Sequence, residues 1–215
     1  MNSTNRLMTS KETLCQLVRV GYIFFAFPFL VLIGVITFCM WMSSTPGRML
    51  SGVPLFTFLV WTVIAISVAM YVHGLKSKYL LLKRINSSLR DPELYNPSEG
   101  CEFYLTGGGK YLGIDSENGT ILYINKIRKG EVDVVGMTMG DWTRRELEGK
   151  TLRLYTKFPE LPCIEIHTPW AQLWYDMLGA MEYKRYQTPK PFGQHVSEHV
   201  KTLERENNIH IPKLA

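Results

Sequence analysis

The chain has 215 residues, 46% of them hydrophobic, and a formal net charge of +5, which bounds it to one or two units able to bury a core. The charge is uneven: residues 1–100 hold nine Lys/Arg against four Asp/Glu, whereas residues 101–215 hold fifteen of each. A neutral second half has no electrostatic footprint for nucleic acid, so nucleic-acid binding is excluded as the main function.

Residues 1–19 form a basic N-terminal segment. No charge then occurs between Arg19 and Arg48, and "VGYIFFAFPFLVLIGVITFCMWM", residues 20–42, is almost wholly apolar. As a helix it reaches about 34 Å, enough to cross a bilayer, and its Pro28 predicts a kink of the kind membrane helices tolerate. A second apolar stretch, "VPLFTFLVWTVIAISVAMYVHGL", fills residues 53–75. The short, turn-rich "SSTPGRMLSG" between them makes residues 20–75 a transmembrane helical hairpin. The first stretch is too long for the core of a signal peptide. Arg6, Lys11 and Arg19 precede the first span, and Lys76, Lys78, Lys83, Arg84 and Arg90 follow the second, with only Arg48 between. By the positive-inside rule both termini are cytoplasmic. His73 reads as an interfacial polar residue. Gly21, Gly34, Ala65 and Ala69 are small enough to permit helix packing, including between copies in a homo-oligomer.

Residues 76–90 lack Gly and Pro, so the second helix is expected to continue as a juxtamembrane segment whose "KSKYLLLKR" can touch anionic headgroups. "DPELYNPSEG" then breaks it, making residues 76–100 a juxtamembrane helix and linker. From Cys101 the pattern becomes strand-like, near 101–106, 110–115, 120–127, 131–137, 151–157 and 162–167. The glycine run in "FYLTGGGKYLGID" matches neither a Walker loop nor a dinucleotide fingerprint, since Tyr111 follows Lys110 and no helical pattern comes next; it reads as a turn. Asn118-Gly119 predicts a type I′ hairpin. "MGDWTRRELEG" fits either a strand or a short helix capped by Asp141.

The period then changes to that of a helix: Trp170, Leu173, Trp174, Met177, Leu178 and Met181 share one face, with Thr168 as cap and Pro169 in the first turn. Residues 101–188 therefore predict an α+β domain, a curled antiparallel sheet closed by a C-terminal helix, and this resembles the pleckstrin-homology-like fold. Residues 189–215 read as a tail with a short, mostly polar helix that docks weakly or stays mobile.

The motifs that suggest chemistry do not assemble. "HVSEH", His195 to His199, matches H-x-x-E-H, but no later helix supplies a distal Glu ligand, so no metal site is expected. Cys15, Cys39, Cys101 and Cys163 form no C-x-x-C pair and read as buried free thiols. With no nucleophile constellation, no catalytic residues or cofactors are expected and the chain reads as a non-enzyme. Among aromatic residues, Trp142, Trp170, Trp174 and Tyr175 are the candidates for a partner surface.

The whole assembly, with "TSKETLCQLVRVGYIFFAFPFL", two spans and a small β domain ending in "WAQLWYDMLGAMEY", resembles the entry-exclusion (surface-exclusion) proteins of IncI-type conjugative plasmids, of the ExcA kind. The resemblance implies a bacterial inner-membrane protein that blocks redundant conjugative transfer by recognising a cognate donor transfer component, a TraY-type membrane protein. A different class also fits the residues: a membrane-anchored pleckstrin-like module that binds lipid or scaffolds an inner-membrane complex.

Overall fold

The computed structural model describes residues 10–43 and 52–212. Arg6, the connecting segment with Arg48, and the last three residues lie outside the described residues. The chain divides into two compact units, Met1–Gly74 and Leu75–Ala215.

The first unit holds α1 (Ser10–Gly21), a π-helical turn (Tyr22–Ala26), α2 (Phe27–Ser43) and the first part of α3 (Val53–Leu89). Pro28 has no N–H to give the carbonyl four residues back, and its ring crowds that turn. The helix answers by widening: Phe27 N–H bonds to Tyr22 O, five residues back, in the π register. The expected proline distortion is therefore a single wide turn. Two helices, Thr13–Ser43 and Val53–Leu89, are long and apolar enough to cross a membrane. Along them Phe24, Phe25, Phe29, Phe58 and Met70 stand exposed, so protein packing does not cover their apolar surface. α2 and α3 touch at Gly34, where an added Cβ would sit 3.3 Å from Ile64 Cδ1 and 3.5 Å from Val60 Cγ1. Gly34 is thus used within the hairpin, and the buried Thr37 hydroxyl donates to its carbonyl at 3.1 Å.

The second unit contains the end of α3, seven strands and two helices. β1 (Glu102–Leu105), β2 (Lys110–Asp115), β3 (Thr120–Arg128) and β4 (Glu131–Thr138) pair consecutively and antiparallel in one sheet. β5 (Trp142–Glu148), β6 (Thr151–Thr156) and β7 (Cys163–His167) form a second antiparallel sheet. The ambiguous "DWTRRELE" is therefore a strand. α4 (Ala171–Met181) and α5 (Phe192–Asn207) follow.

Two cores result. Between the sheets lie Leu112, Ile114, Ile121, Tyr123, Val135 and Met137 of the first, Leu152, Leu154, Ile164 and Ile166 of the second, and Trp174, Leu178 and Met181 of α4. On the other side of the first sheet, Tyr111, Leu122, Ile124, Val132 and Val134 pack with Leu82, Ile85 and Leu89 of α3, Leu94, Tyr95, and Phe192, Val196 and Leu203 of α5. The stretch read as a juxtamembrane helix and linker thus supplies core residues from both parts, Leu82, Ile85 and Leu89 from the helix and Leu94 and Tyr95 from the linker. The expected weak or mobile tail is corrected likewise, because Phe192, Val196 and Leu203 give its helix an apolar stripe that β4 covers.

The four cysteines are free thiols but not buried: Cys15 and Cys39 are exposed, because they lie on outward faces of α1 and α2, and Cys101 and Cys163 are partly exposed. Local chemistry corrects two further expectations. The Asn118-Gly119 turn closes a hairpin in which Asp115 faces Thr120, so the loop has four residues. Gly119 takes φ +69°, and it is Asn208, not Asn118, that has positive φ among the described non-glycine residues, so the turn is not type I′. The buried Asp115 carboxylate organises it by accepting N–H groups from Asn96, Glu117 and Asn118. Thr168 does not cap α4 from the N-cap position, which is Trp170; its hydroxyl accepts the Trp170 N–H at 3.3 Å, and Pro169 precedes the helix.

Candidate functional site: surfaces for a partner

The four candidate aromatic residues separate by burial. Trp174 is 0% exposed, lies edge-on to Phe103 at 6.5 Å, and donates Nε1–H to Gly100 O at 3.1 Å. Trp142 is 6% exposed in the same core. Both are corrected to core residues, since neither presents a surface to a partner. The helix begins one residue later than its apolar pattern suggests, so the buried stripe runs through Ala171, Trp174, Leu178 and Met181. Trp170 at the N-cap and Leu173 one turn on are left 50% and 54% exposed.

Tyr175 is half-buried and already has a partner. The Arg145 guanidinium of β5 lies 4.7 Å from its ring centroid and pairs with Glu182 at the end of α4. Gly179 leaves the room: a Cβ there would sit 2.5 Å from Arg145 Nη2. Tyr175, Gly179 and Glu182 are spaced i, i+4, i+7, one face of a helix, so this cluster fastens β5 to α4.

The orienting basic residues also divide. Arg19 lies 5.9 Å over the Tyr71 ring, beside a 2.7 Å hydrogen bond between Tyr22 and Ser67. Lys11 lies in α1. Lys76 and Arg84 are exposed. Lys78 donates to Gly107 O in the β1–β2 turn at 2.9 Å, and Lys83 sits 6.0 Å from the Tyr79 ring. Arg90 pairs with Glu102 at 2.7 Å.

That last pair opens a polar joint between α3 and the first sheet. The same Glu102 Oε2 accepts from Asn86 Nδ2 at 3.1 Å and from Tyr111 at 2.9 Å, and Asn86 also donates to Tyr104 at 2.7 Å. Tyr95 and Tyr111 share a 2.8 Å bond. Burial, the neighbouring tyrosine and the Glu102 carboxylate push the Tyr111 phenol far above its ordinary range, so it stays a neutral donor. Sequence gave no sign of this joint, since its members are scattered over residues 86–111.

The glycine run is a turn, Thr106–Gly109, with Gly109 at φ +68°. Lys110 spans to the second sheet, where its ammonium donates to Glu165 O at 3.1 Å. In "HVSEH" the His195 and His199 rings lie 4.4 Å apart, and no group of three metal-binding side chains forms among the described residues. His195 is 6% exposed and stacks on Phe192 at 6.1 Å, His199 Nδ1 bonds to His195 O at 2.8 Å, and Glu198 is held by Lys190 at 2.6 Å.

The sequence expectations missed the outer edge of β4. Antiparallel pairing alternates inward and outward amides. Val132 N–H points outward, to His210 O at 3.0 Å, and Thr138 N–H points outward to Asp141 Oδ2 at 2.7 Å. Val134 and Gly136 share that parity. Beside them lies a groove of about 470 Å³ lined by Val134, Gly136, Phe158, Val196, Val200 and Ile211 among others.

No curated protein and no solved structure matches the chain. A family model, described as Exclusion-determining protein, matches residues 2–215. With that match running through both the apolar helices and the β-rich unit, the chain belongs to the exclusion-determining protein family and has its role in entry exclusion.

Proposed function

We propose that this chain is an inner-membrane protein that blocks redundant conjugative transfer by recognising a cognate component of the donor's transfer apparatus. The observation that carries the reading is the family match over residues 2–215, which covers anchor and β-rich unit together. The finer assignment is to the exclusion proteins of IncI-type plasmids, ExcA-like, with a TraY-type donor membrane protein as the partner. The two apolar helices are then spans, and the basic residues flanking them put both termini in the cytoplasm. The second unit is a pleckstrin-homology-like domain. Four and three antiparallel strands around one core, with α4 against it, support that reading.

Anchoring the second unit at the membrane raises its local concentration near anything that crosses the bilayer. Discrimination between plasmid types then needs only a few contacts and a few clashes on its surface. Trp170 and Leu173 are exposed and apolar, and they are the aromatic-helix positions free to serve in this way.

A mating assay tests the reading. The chain is expressed alone in a plasmid-free recipient, and transfer of an IncI-type plasmid is compared with transfer of an unrelated one. The expected result is a drop of tenfold or more for the IncI-type plasmid only. Equal transfer of both would overturn it. Exchange of residues 101–188 between two exclusion types should carry specificity with it; specificity that stays with the hairpin would move recognition to the spans.

A further inference from the structure

We propose that the end of the first sheet formed by the β1–β2 and β3–β4 turns is a basic surface that lies on the headgroups of anionic phospholipids. The inference rests on the reading of the apolar helices as spans. It goes beyond the juxtamembrane helix, because the surface draws on the sheet as well.

Strand direction gathers this surface. Successive antiparallel strands reverse, so the turns at 106–109 and 129–130 lie at one end of the sheet and the turn at 116–119 at the other. At the first end Lys110 stands opposite Asn125, and a Cβ on Gly109 would lie 3.1 Å from Lys126 Cβ. Lys129 follows in the β3–β4 turn and is exposed. α3 reaches the same end, since Lys78 donates to Gly107 O at 2.9 Å, and Lys76, two residues earlier, is exposed. Lysines distant in the chain thus meet at one end of one sheet.

Their charge is not cancelled. Among the described residues Lys76, Lys110, Lys126 and Lys129 form no ion pair. Two carboxylates near this end are engaged elsewhere: Glu131 pairs with Arg128 at 2.9 Å, and Glu165 with Arg153 at 3.4 Å. The Lys110 ammonium gives one N–H to Glu165 O and keeps two for an anion. The opposite end of the sheet has the other sign. Asp115 and Glu117 sit at its turn, and the Asn118 bond to Pro92 O brings Asp91 and Glu93 beside them. Lys184 and Arg185 lead into Tyr186, which packs on Gly119 there, and they offset those four carboxylates only in part. A half of the chain that is neutral in sum is therefore polarised along its sheet.

Place selects the occupant. Lys76 directly follows Leu75, where the apolar stretch ends, so the basic surface begins one residue beyond it. A layer of phosphodiesters lies at that depth when the stretch spans a bilayer, and juxtamembrane lysines are drawn to it. Gly107 and Gly108 are exposed and put no side chain between the turn and a flat layer. Lysine suits such a layer, because a point charge on a flexible stem can meet phosphates at many positions.

The test uses the full chain in bilayer discs of phosphatidylcholine alone and of phosphatidylcholine with phosphatidylglycerol. An uncharged acetylating reagent reports the reactivity of each lysine by mass spectrometry. Lys157 and Lys184, exposed elsewhere in the unit, are the internal controls. The expected result is that Lys110, Lys126 and Lys129 react roughly threefold more slowly in the anionic discs, while the controls react equally in both. High salt should remove the difference by screening. In the double variant Lys126→Gln, Lys129→Gln, Lys110 should react in anionic discs nearly as it does in neutral ones. Equal reactivity of the three lysines in both discs would overturn the surface and leave the spans standing. A Lys110 still protected in the double variant would overturn the role of the two turn lysines. Protection in neutral discs by inorganic phosphate or a single-stranded oligonucleotide, with none from anionic lipid, would make the occupant a soluble anion and the bilayer assignment wrong. Extraction of the chain from cell membranes by alkaline carbonate would overturn the spans, and the inference with them.

Discussion

β1–β4 and β5–β7 are both antiparallel, yet the first sheet is buried on two faces and the second on one. In β6 and β7 the contrast within each strand is clear: Leu152, Leu154, Ile164 and Ile166 are buried, while Glu165 and His167 are exposed and Arg153 pairs with Glu148 and Glu165 on the outside. In β3 it vanishes. Ile121 and Tyr123 face the inter-sheet core, and Leu122 and Ile124 face α3 and α5. A strand with apolar residues at every position requires a cover on each side. Here one cover is the end of a helix whose earlier part is apolar enough to cross a membrane, and the other is the C-terminal helix. The first sheet is thus the layer between the inter-sheet core and the two helices that cover it.

The largest effect that sharpens this contrast comes from the core shared by both sheets. Trp174→Ala removes the largest fully buried side chain and its bond to Gly100 O. It should cost about 3–5 kcal/mol in denaturant unfolding of the full chain in detergent. Arg153→Ala, on the open face of the second sheet, should leave the unfolding midpoint unchanged, because exposed ion pairs contribute little. If the two substitutions cost the same, the outer face of the second sheet is covered after all.

An intermediate effect tests the second cover. Gly136 has no side chain because Val196 and Phe192 sit where one would be. Gly136→Ala should cost about 1–3 kcal/mol by overpacking. Hydrogen exchange should show the loss concentrated in α5, with amides of β6 and β7 as protected as before. Uniform loss over both sheets would mean that α5 and the first sheet do not unfold as a distinct layer.

The same contrast explains what was legible. Strand positions and the apolar helices follow from runs of β-formers and from charge-free stretches, which are local signals. The strand at Trp142–Glu148 was ambiguous for a physical reason. A bulge between Trp142 and Arg144 shifts the register, so Trp142 and Leu147 both pack inward although they are five residues apart. Alternation cannot be read through such a shift. The α5 helix looked polar because its apolar stripe is narrow, Phe192, Val196 and Leu203, and only the sheet it covers gives that stripe meaning. At the candidate surface, sequence grouped four aromatic residues that burial divides: Trp142 and Trp174 inside, Tyr175 against Arg145, and Trp170 exposed. The β4 edge left no trace in composition, since its groups are main-chain amides.

The smallest effect concerns pH and distinguishes the two faces of the first sheet chemically. His195 is buried on α5 in the layer that covers that sheet, and neither ring nitrogen has a hydrogen-bond partner among the described residues. Burial holds its pKa below the ordinary histidine value, and the neighbouring His199 and Lys190 add to this against weaker opposition from Asp91 and Glu198. The unfolded chain therefore takes up the proton first as pH falls. Above the ordinary value of about 6.5 His195 is neutral in both states and has no effect on stability. As pH falls through that value stability declines, and the decline levels off below the depressed folded value. His195→Phe keeps a ring against Phe192 and removes the titration. The fall in unfolding midpoint between pH 8 and pH 5 should be smaller in His195→Phe than in the unmodified chain, with the gain concentrated in α5 amides by hydrogen exchange. An equal fall in both chains would mean that His195 gains a partner when protonated, and that the layer over the first sheet is not acid-sensitive at this residue.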